Sequence, residues 1–552
     1  MTIGGQEYTP EELVAMVLTH AKDITTAFGV QGDVKDCVLT VPSFYTQHER
    51  RALLDAASLA DLNVLALIDE TTAAGLHYGI DRIEEVPQNI VFYNMGASAL
   101  QVSIIQFYSY ERKETKYAKG KKVGAFQVLG KAWDAALGGA AFDARIVNFM
   151  ADEFNEIWDK KRGDGETKDV RSFPRAMAKL HIQANKVKHV LSANNDFPIF
   201  IDALHDEINY QSHMSRAHFE ELCHDLFERS SDPITRALKA ANMTLDDIHA
   251  VELIGGGMRV PKIREAMQVV LGEKLDLGMH INSDESMALG AAFHGANIST
   301  AFKVRHVGMT DINPFPISVS LDELTGDKKK DDEDAWSKHA TIFKANGKVG
   351  VKKTIAFSYD HDIACAVDYD DDSEFIPAGT LPSIEKYNIT GVAEFAKEMA
   401  DKGLATPKVS LQFELSTSGL VQLVKAEAVV EETYTVMEDV EVDDEDAVEE
   451  EVVKTEETKD AETTEEKAED ASEATEEKAE EKTEDASEEK TEDASEPTEE
   501  KAEEKTEDAS ETITTEEKAD KKTEKPKKKK KKTISVEKVR SSALLTDSSL
   551  QI

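Results

Sequence analysis

DCVLTVPSFYTQHERRALLDAASLADLNVLALIDETTAAGLHYGID, residues 36–81, is the stretch whose pattern most directly decides a fold. Two short apolar runs, VLTV and LNVLALI, flank a segment with apolar residues at helical spacing. Thr46 and Glu49 have the spacing of a capping box, which would begin that helix. The pattern predicts strand, helix, strand and helix, with the two strands parallel and joined by a right-handed crossover. Ligands of such sheets bind beyond the carboxyl ends of the strands, and Glu70 lies at such an end.

Charge and composition argue against several classes of protein. The chain has 552 residues, enough for two or three domains, and a formal net charge of −43 that comes largely from an acidic segment after about residue 430. An acidic chain of this kind is not expected to bind nucleic acid across its surface. Cys37, Cys223 and Cys365 lie far apart, so we expect ordinary buried or half-buried thiols and neither a disulfide framework nor a zinc site.

Signals for cellular location point in two directions. No run approaches the roughly twenty apolar residues of a membrane span, and the N-terminal MTIGGQEYTPEEL lacks the basic start and apolar core of a signal peptide. These observations alone favour the cytosol. Asn242, Asn297 and Asn388, however, each begin an Asn-X-Ser/Thr triplet, and such glycosylation sites matter only in a secretory compartment.

Two turns rich in small residues are candidate ligand contacts. NIVFYNMGASALQVSIIQF, residues 89–107, predicts a hairpin whose bend at 94–98 allows close approach to its backbone. AVELIGGGMRVPKIREAM, residues 250–267, predicts a buried strand, a turn at Gly255–Gly257 and a helix with Pro261 early in it. This turn fails the GxGxxG spacing, so it is either a site for a nucleotide or other anion, or a tight turn without a ligand.

The rest of the chain divides into regions of different sequence pattern. A largely helical region is predicted from Gly138 to Phe227, and beyond Phe302 alternating strands and glycine-containing turns predict an antiparallel sheet or sandwich. Beyond Val440 the low-complexity acidic sequence is expected to be disordered, with transient helix where Glu and Lys have helical spacing. Lys527–Lys532 has three interpretations, a nuclear-localisation signal, an anion-binding patch or a solvated linker, and TISVEKVR after it predicts a strand.

Five ordered segments carry a resemblance to one protein family. The actin-like ATPase domain of the seventy-kilodalton heat-shock chaperone superfamily resembles, in order, VLTVPSFYTQHERRALLDAASLADLNVLALIDETTAAGLHYGID, LGGAAFDARIVNFM, KVKHVLS, AVELIGGGMRVPKI and NSDESMALGAAF. PRAMAKLHIQANKVKHVLSANND and AFKVRHVGMTDINPFPISV are most similar to its large endoplasmic-reticulum branch, and the likeness covers about residues 6–435.

The resemblance implies a fold class and a domain order. The fold would be an α/β actin-like two-lobed ATPase-type domain, N-terminally incomplete, followed by an antiparallel β-sandwich and a disordered acidic tail. The implied ranges are a nucleotide-binding domain lacking its first phosphate loop over 1–302, a β-sandwich substrate-binding domain over 303–440, an acidic low-complexity segment over 441–526, and a basic run with a truncated C-terminal segment over 527–552.

The resemblance also implies roles for particular residues. The cofactor would be ATP or ADP with Mg2+, and the residues expected near the nucleotide are Gly96, Gly139, Lys188, Ser192, Gly255, Gly256, Arg259, Val260 and Asp284. Glu70 would be the catalytic carboxylate near the metal-bound water, and Pro42 and Arg50 would relay the nucleotide state between domains. No protein side chain is expected to ligate a metal directly. An arginine can stack on an adenine face, and glycines admit phosphate oxygens to backbone amides.

The chain departs from the family pattern in its second phosphate loop. The usual Asp-Leu-Gly-Gly-Gly-Thr is Asn94-Met-Gly-Ala-Ser-Ala here, Gln101 replaces another acid, Asn185 replaces a glutamate near the ribose, and His189 stands where an adenine-stacking arginine is common. Phosphoryl transfer depends on positioned charge and magnesium, so we expect severely weakened hydrolysis. The family's first phosphate loop, its helical lid and a retention signal such as KDEL have no counterpart here. We therefore expect a fragment, an alternative product or an incomplete gene model of a large chaperone.

Three hypotheses for function follow. The first is a stress-response chaperone of the endoplasmic-reticulum lumen that binds unfolded polypeptide clients and promotes nucleotide exchange on a partner ATPase chaperone, without binding nucleic acid or spanning a membrane. The second is a slow ATPase of the same family, which Glu70, Gly255–Gly257 and Arg259 favour and Asn94 opposes. The third is an acidic interaction protein that binds calcium weakly through clustered carboxylates.

Overall fold

Most of the chain up to Thr433 and two short segments near its end have a described structure. The computed structural model describes residues 2–3, 5–29, 32–113, 120–162, 168–272, 274–299, 303–324, 336–370, 376–377, 379–433, 527–533 and 535–539. The acidic segment of 441–526, predicted to be disordered, lies outside the described residues.

The first part of the chain contains the predicted strand and helix alternation. Its elements are β1 (Thr2–Ile3), β2 (Gln6–Glu7), α1 (Pro10–Ala27), β3 (Asp36–Val41), α2 (Gln47–Leu59), β4 (Asn63–Asp69) and α3 (Glu70–Gly79). β3 and β4 pair in parallel, with Val41 opposite Asp69, and α2 forms the crossover between them. The capping box of Thr46 and Glu49 is present at the start of α2. The predicted order of strand, helix, strand and helix and the parallel pairing of the two strands are therefore confirmed, and Glu70 begins α3 directly after a strand end.

A six-stranded sheet forms the centre of the next region. The chain continues through β5 (Gln88–Met95), β6 (Leu100–Arg112), β7 (Lys121–Asp134), α4 (Gly139–Arg162), α5 (Pro174–Ala193), β8 (Asp196–His205), β9 (Ile208–Ser215), α6 (Arg216–Leu222), α7 (His224–Arg229), α8 (Asp232–Ala241), β10 (Ala250–Ile254), α9 (Pro261–Leu271), β11 (Leu277–Gly278), α10 (Ser286–Ile298) and β12 (Gly308–Thr310). The strand order is β11-β10-β5-β6-β7-β12. β5 and β6 form the predicted antiparallel hairpin, and β10 lies parallel to β5.

Both faces of this sheet are buried at β5, so a ligand can reach the sheet only at the ends of its strands. Val91 and Tyr93 of β5 contribute to one core with α4 and α5, whereas Ile90 and Phe92 contribute to another with α3 and α10. A strand buried on both faces is expected to be a continuous apolar run, as IVFY is. The ligand position expected for such a sheet is therefore the carboxyl end of β5 and β10.

The region predicted as largely helical from Gly138 to Phe227 contains a hairpin as well. β8 and β9 pair antiparallel after α5. In β8 the side chains of Ile199 and Ile201 are buried while Phe200 between them is 58% exposed. This alternation has the period of a strand with one buried face, and it was too short to outweigh the helical segments on either side.

Two antiparallel sheets around one core form the C-terminal region. Its elements are β13 (Ile312–Asn313), β14 (Ile317–Glu323), β15 (Ser337–Phe343), β16 (Gly347–Lys348), β17 (Val351–Ser358), β18 (Ile363–Tyr369), β19 (Ser383–Thr390), α11 (Val392–Asp401), β20 (Lys408–Leu415), β21 (Val421–Thr433), β22 (Lys527–Thr533) and β23 (Ser535–Val539). One sheet has the order β15-β14-β18-β19-β23, and β17, β20 and β21 are consecutive in the other. Side chains of both sheets, such as Val319 and Leu411, share one hydrophobic core.

Three details of the C-terminal region qualify the sequence-based predictions. α11 interrupts what was expected to consist of strands and turns, and its buried residues Val392, Phe395 and Met399 have helical spacing. The strand predicted in TISVEKVR is present as β23, which pairs with β19. The lysine run belongs to strand β22, which leaves its three interpretations open. In the part of the chain with a described structure, no helix has the length and apolarity needed to cross a membrane.

Candidate functional site

The site begins where two parallel strands end side by side. Ile254, the last residue of β10, lies opposite Asn94 near the end of β5. Gly255 follows with a φ of +82°, and a Cβ atom there would overlap the carbonyl oxygen of Met95. Only glycine combines this backbone conformation with such close approach. The two strand ends are thus held in contact by a residue without a side chain.

A cleft of about 430 Å³ opens beside these strand ends. Seven of the nine residues predicted to contact a nucleotide line it, namely Gly96, Gly139, Lys188, Ser192, Gly256, Arg259 and Val260. Gly255 packs beneath it against Met95, and Asp284 reaches its rim through an ion pair of 2.6 Å with Arg259. Phe142 and Ile263 also line the cleft and were not predicted. Each follows a predicted residue by three positions, so helical spacing would have identified both.

Backbone hydrogen bonds join the turn after β5 to the start of α4. The amide of Gly139 donates to the carbonyl of Gly96 at 3.0 Å, and the amide of Ala140 donates to that of Ala97 at 2.8 Å. A Cβ atom at Gly138 would lie 2.5 Å from the carbonyl oxygen of Ala97, so the contact depends on glycine. The arrangement brings a glycine turn and the positive end of a helix dipole to one wall of the cleft, which favours an anion there.

A buried lysine of the cleft is paired with a carboxylate behind it. Lys188 is 8% exposed, and its Nζ donates to the carbonyl of Gly139 and to Asp143 Oδ2, each at 2.8 Å. Asn185 Nδ2 donates to the same carboxylate oxygen at 3.2 Å. Asp143 Oδ1 is buried and has no hydrogen-bond partner among the described residues. Such a buried acceptor without a donor is costly. Asp143 is not among the residues that line the cleft, so its role is to hold Lys188 in place.

Ser192 and Arg259, two further polar residues of the cleft, differ in whether their side chains are free to contact a ligand. Ser192 Oγ donates to the carbonyl of Lys188 at 2.9 Å, so its proton is already used within α5. Arg259 and Asp284 are 61% and 57% exposed at their side chains, and an exposed ion pair of this kind stabilises by less than about 1 kcal/mol. The Arg259 guanidinium can therefore leave Asp284 to stack on a planar ligand at little cost.

Glu70 lies outside the lining of the cleft, at the start of α3. Asn94 Nδ2 donates to its Oε2 at 3.0 Å, and Gln101 Nε2 donates to the same oxygen at 2.6 Å. Burial raises the pKa of Glu70, the two amide hydrogen bonds oppose the rise, and the neighbouring charge of Asp69 adds to it. In the described ranges no group of three or more His, Cys, Asp or Glu is placed to hold a metal ion. Both amide hydrogens face Oε2, and the two neutral amides supply no further carboxylate beside Glu70, so this group of residues does not fit Mg2+.

A buried network of charges surrounds Arg50, one of the two predicted relay residues. Arg50 Nη2 lies 2.7 Å from Asp69 Oδ1, and Lys131 Nζ lies 2.6 Å from Asp69 Oδ2 and 2.5 Å from Asp311 Oδ1. Arg50 Nη1 also donates to the carbonyl of Ser418 at 3.1 Å. Burial alone would raise the pKa of Asp69, but Lys131 and Arg50 lower it to about 2. The network joins β4 and β7 to the chain before β13 and to the turn before β21.

Pro42, the other predicted relay residue, ends β3 beside this network. Its carbonyl accepts the amide of Tyr45 at 3.0 Å, which forms the turn into α2. Arg50 Nε donates to the carbonyl of Tyr45 at 3.0 Å, so a hydrogen bond connects this turn to the charged network. Pro42 and Arg50 are therefore each hydrogen-bonded to Tyr45, in the connection from β3 to α2.

The three glycosylation candidates differ in their surroundings. Asn242 is exposed and ends α8 in the left-handed conformation, with φ of 52°. Asn297 is half-buried near the end of α10. Asn388 is half-buried within β19, opposite Ala364 on one side and Glu537 on the other. Asn242 is thus the candidate with the most open surroundings.

A ligand cleft at the carboxyl ends of parallel strands, with glycine turns and a helix start in its walls, places this region in the α/β class of ligand-binding folds. The chain belongs to the Hsp70 family, because the family described as Hsp70 protein matches residues 1–542. Members of this family contain an actin-like ATPase fold, bind ATP or ADP with Mg2+, and bind unfolded client polypeptides.

Several curated proteins are similar to most of this chain. Heat shock 70 kDa protein 17 of Arabidopsis thaliana is 39% identical over 433 residues, which are 78% of this chain and 48% of that protein. Hypoxia up-regulated protein 1 of Xenopus tropicalis is 37% identical over 435 residues, or 77% of this chain and 65% of that protein. The Homo sapiens protein of the same name is 36% identical over 444 residues, or 78% and 42%. The chain therefore spans about half the length of the relatives it matches.

Proposed function

We propose that this chain is a chaperone of the endoplasmic-reticulum lumen that binds adenine nucleotide in the cleft and unfolded polypeptide through its C-terminal sheets. The nucleotide-binding domain would comprise 1–302 and the β-sandwich substrate-binding domain 303–440, followed by the acidic segment of 441–526 and the basic segment of 527–552. The observation that supports this proposal most directly is the convergence of seven predicted nucleotide contacts on one cleft.

The chemistry of the cleft suits an adenine nucleotide. Gly96 and Gly139 line the cleft without side chains, so phosphate oxygens can come close to the backbone there. Lys188 and Asn185 line the cleft with polar nitrogen atoms that ribose or phosphate oxygens can accept hydrogen bonds from. Arg259 is exposed at the rim and can stack on an adenine face. Hydrolysis is not part of this proposal, because the carboxylate of Glu70 is bonded to two amides and lies outside the lining of the cleft.

Replacing Arg259 with alanine is expected to weaken binding of a fluorescent ADP analogue by about five- to tenfold, the loss of one stacking cation. Fluorescence anisotropy measures the effect. Lys262→Ala is the matched control, since Lys262 lies on neighbouring α9 and pairs with Glu265 outside the cleft. Absence of ADP binding by the native chain, or equal affinities for the native chain and the Arg259 variant, would refute the nucleotide proposal.

The C-terminal sheets carry apolar surface that could hold an extended client. Trp336 is half-buried, stacks on Tyr359 with 3.8 Å between ring centroids, and packs near Phe357. These residues lie next to β15 and β17, each an end strand of its sheet. An extended peptide can pair with a free strand edge and place apolar side chains against such a cluster.

Stoichiometric amounts of the chain are therefore expected to suppress aggregation of an unfolded client, followed by light scattering. Trp336→Ser is expected to lose most of this effect because it removes the outer ring of the cluster. Leu381→Ser is the control, since Leu381 is an exposed apolar residue between β18 and β19. Equal suppression by both variants would show that clients bind elsewhere, and no suppression by the native chain would end the client proposal.

A location in the endoplasmic reticulum predicts a glycan. The protein isolated from its own cells is expected to lose the mass of an N-linked glycan on glycosidase treatment, and Asn242→Gln is expected to abolish most of that change. Asn388→Gln should still lose that mass on glycosidase treatment, because Asn388 lies within a strand that is paired on both sides and is not expected to carry the glycan. A native mass that glycosidase leaves unchanged would argue against this compartment.

A partner ATPase chaperone of the same compartment is part of the proposal. Addition of this chain is expected to accelerate release of labelled ADP from that partner, which stopped-flow fluorescence measures. The similarity to longer proteins of the family supports this role. Release at the spontaneous rate would remove nucleotide exchange from the proposed function.

A further inference from the structure

Two buried amide side chains hold the carboxylate of Glu70. Asn94 and Gln101 are 2% and 3% exposed, and their amide nitrogens lie 3.0 Å and 2.6 Å from the same oxygen, Oε2. They come from β5 and β6, on adjacent positions of the hairpin, since Asn94 lies directly opposite Gln101. The three side chains therefore form one compact group at the carboxyl ends of β4 and β5.

The orientation of the Gln101 amide follows from its other contact. Its carbonyl oxygen, Oε1, accepts the backbone amide of Ser43 at 2.8 Å. The nitrogen must then face Glu70, because the reversed amide would set an N–H against the Ser43 N–H and an oxygen against the carboxylate. The hydrogens that point at Glu70 are thus fixed by a buried backbone group.

The two amide groups direct hydrogen atoms with partial positive charge at the Glu70 carboxylate, where a cation would otherwise compensate its negative charge. Divalent cations of the Mg2+ type are held by oxygen ligands, and carboxylates are the strongest of them. Here one oxygen of the single carboxylate already receives two N–H donors. The carbonyl oxygen of Asn94 has no hydrogen-bond partner among the described residues, but it is a single neutral ligand.

The group is connected directly to the cleft. Met95 and Gly96, the residues after Asn94, both line it. We infer that Asn94 and Gln101 take the place of a divalent cation at Glu70, so that the cleft binds its adenine nucleotide without Mg2+. The second half of this inference rests on the proposed nucleotide binding.

Calorimetric titration of the full chain with ADP, in Mg2+ and in EDTA, tests the inference. The two dissociation constants are expected to agree within about twofold. Replacement of both amides by the isosteric acids, Asn94→Asp with Gln101→Glu, is expected to weaken ADP binding in EDTA on the order of tenfold, because it places three carboxylates together. Mg2+ should restore most of that affinity. Binding by the native chain that weakens more than tenfold in EDTA would overturn the inference.

A direct measurement of cation binding separates this inference from the nucleotide proposal. Mn2+ is titrated into the native chain, Glu70→Gln and the double acid variant, and bound Mn2+ is followed by electron paramagnetic resonance. The acidic segment contributes the same background to all three. The native chain and Glu70→Gln are expected to be indistinguishable, and the double variant to gain one site.

The Mn2+ and ADP titrations together distinguish failure of this inference from failure of the proposed nucleotide binding. A Mn2+ site in the native chain that Glu70→Gln abolishes would overturn the inference whether or not ADP binds. Absence of ADP binding in both buffers would remove the proposed function and leave the Mn2+ comparison to decide whether amides replace the cation. If circular dichroism shows that the double variant does not fold, Asn94→Asp alone serves in both experiments.

Discussion

Lys131→Met is expected to lower the free energy of unfolding by about 3–5 kcal/mol, the usual cost of leaving a buried charge without its partner. Lys131 is 1% exposed, and its Nζ contacts both Asp69 and Asp311. Methionine fills a similar volume, so the loss comes from the two carboxylates that remain. Urea denaturation followed by tryptophan fluorescence measures it. Lys122→Met is the control on the same strand, because its ion pair with Glu85 is exposed, and it should change stability by less than about 1 kcal/mol.

The same variant should change the response of the protein to acid. The depressed pKa of Asp69, about 2, means that this carboxylate stabilises the fold fully above its unfolded-state pKa of about 3.9 and loses that contribution as the pH falls toward 2. Without Lys131 the folded-state pKa rises, so the loss of stability between these two pH values should be smaller. Equal stability losses for Lys131→Met and Lys122→Met, or an unchanged acid profile, would contradict this account of the network.

Gly290→Ala is expected to destabilise the protein by about 3 kcal/mol or more, at or above the upper end of overpacking effects. Gly290 lies in α10 where it crosses α3, and a Cβ atom there would overlap the carbonyl oxygen of Ala73. Backbone atoms cannot rotate away as a side chain can, so the two helices must separate. Thermal denaturation followed by circular dichroism measures the change.

Gly295→Ala, in the same helix, is the matched control for this prediction. A Cβ atom at Gly295 would meet only the Cγ2 atom of Val38, at 3.3 Å, which a small shift of that side chain relieves. The gain in helix propensity from glycine to alanine, about 1 kcal/mol, should offset or exceed that cost. If both variants were equally stable, the close crossing of α3 and α10 would have to be abandoned.

Local sequence patterns were sufficient to predict the strands and helices around Glu70. The spacing of Thr46 and Glu49 marked the start of α2, and two apolar runs marked β3 and β4, because each signal depends on residues close in sequence. The helix α11 could have been found in the same way, since its apolar residues have helical spacing. It was missed because the strands around it dominated the interpretation of that region.

Other features depend on contacts between distant segments, which no local pattern contains. Lys131 occupies a strand position that would suit a surface lysine, and its burial is intelligible only once Asp69 and Asp311 are placed beside it. Gly255 was predicted as a ligand contact, but its missing side chain serves the approach to Met95 of a strand more than 150 residues away in sequence. In the sequence, Asn94 and Gln101 were recognised only as replacements of acidic residues. The structure showed that the amide groups of both donate to Glu70.

The pairing of β23 with β19 makes a short segment near the end of the chain part of the C-terminal sheets. β21 ends at Thr433 and β23 spans Ser535–Val539, so strands more than 100 residues apart in sequence belong to this region. Without β23, the side of β19 from Lys386 to Thr390 would be a sheet edge with unpaired backbone groups, which can serve as a template for pairing with another chain. β23 therefore protects this edge of the sheet from association with other molecules.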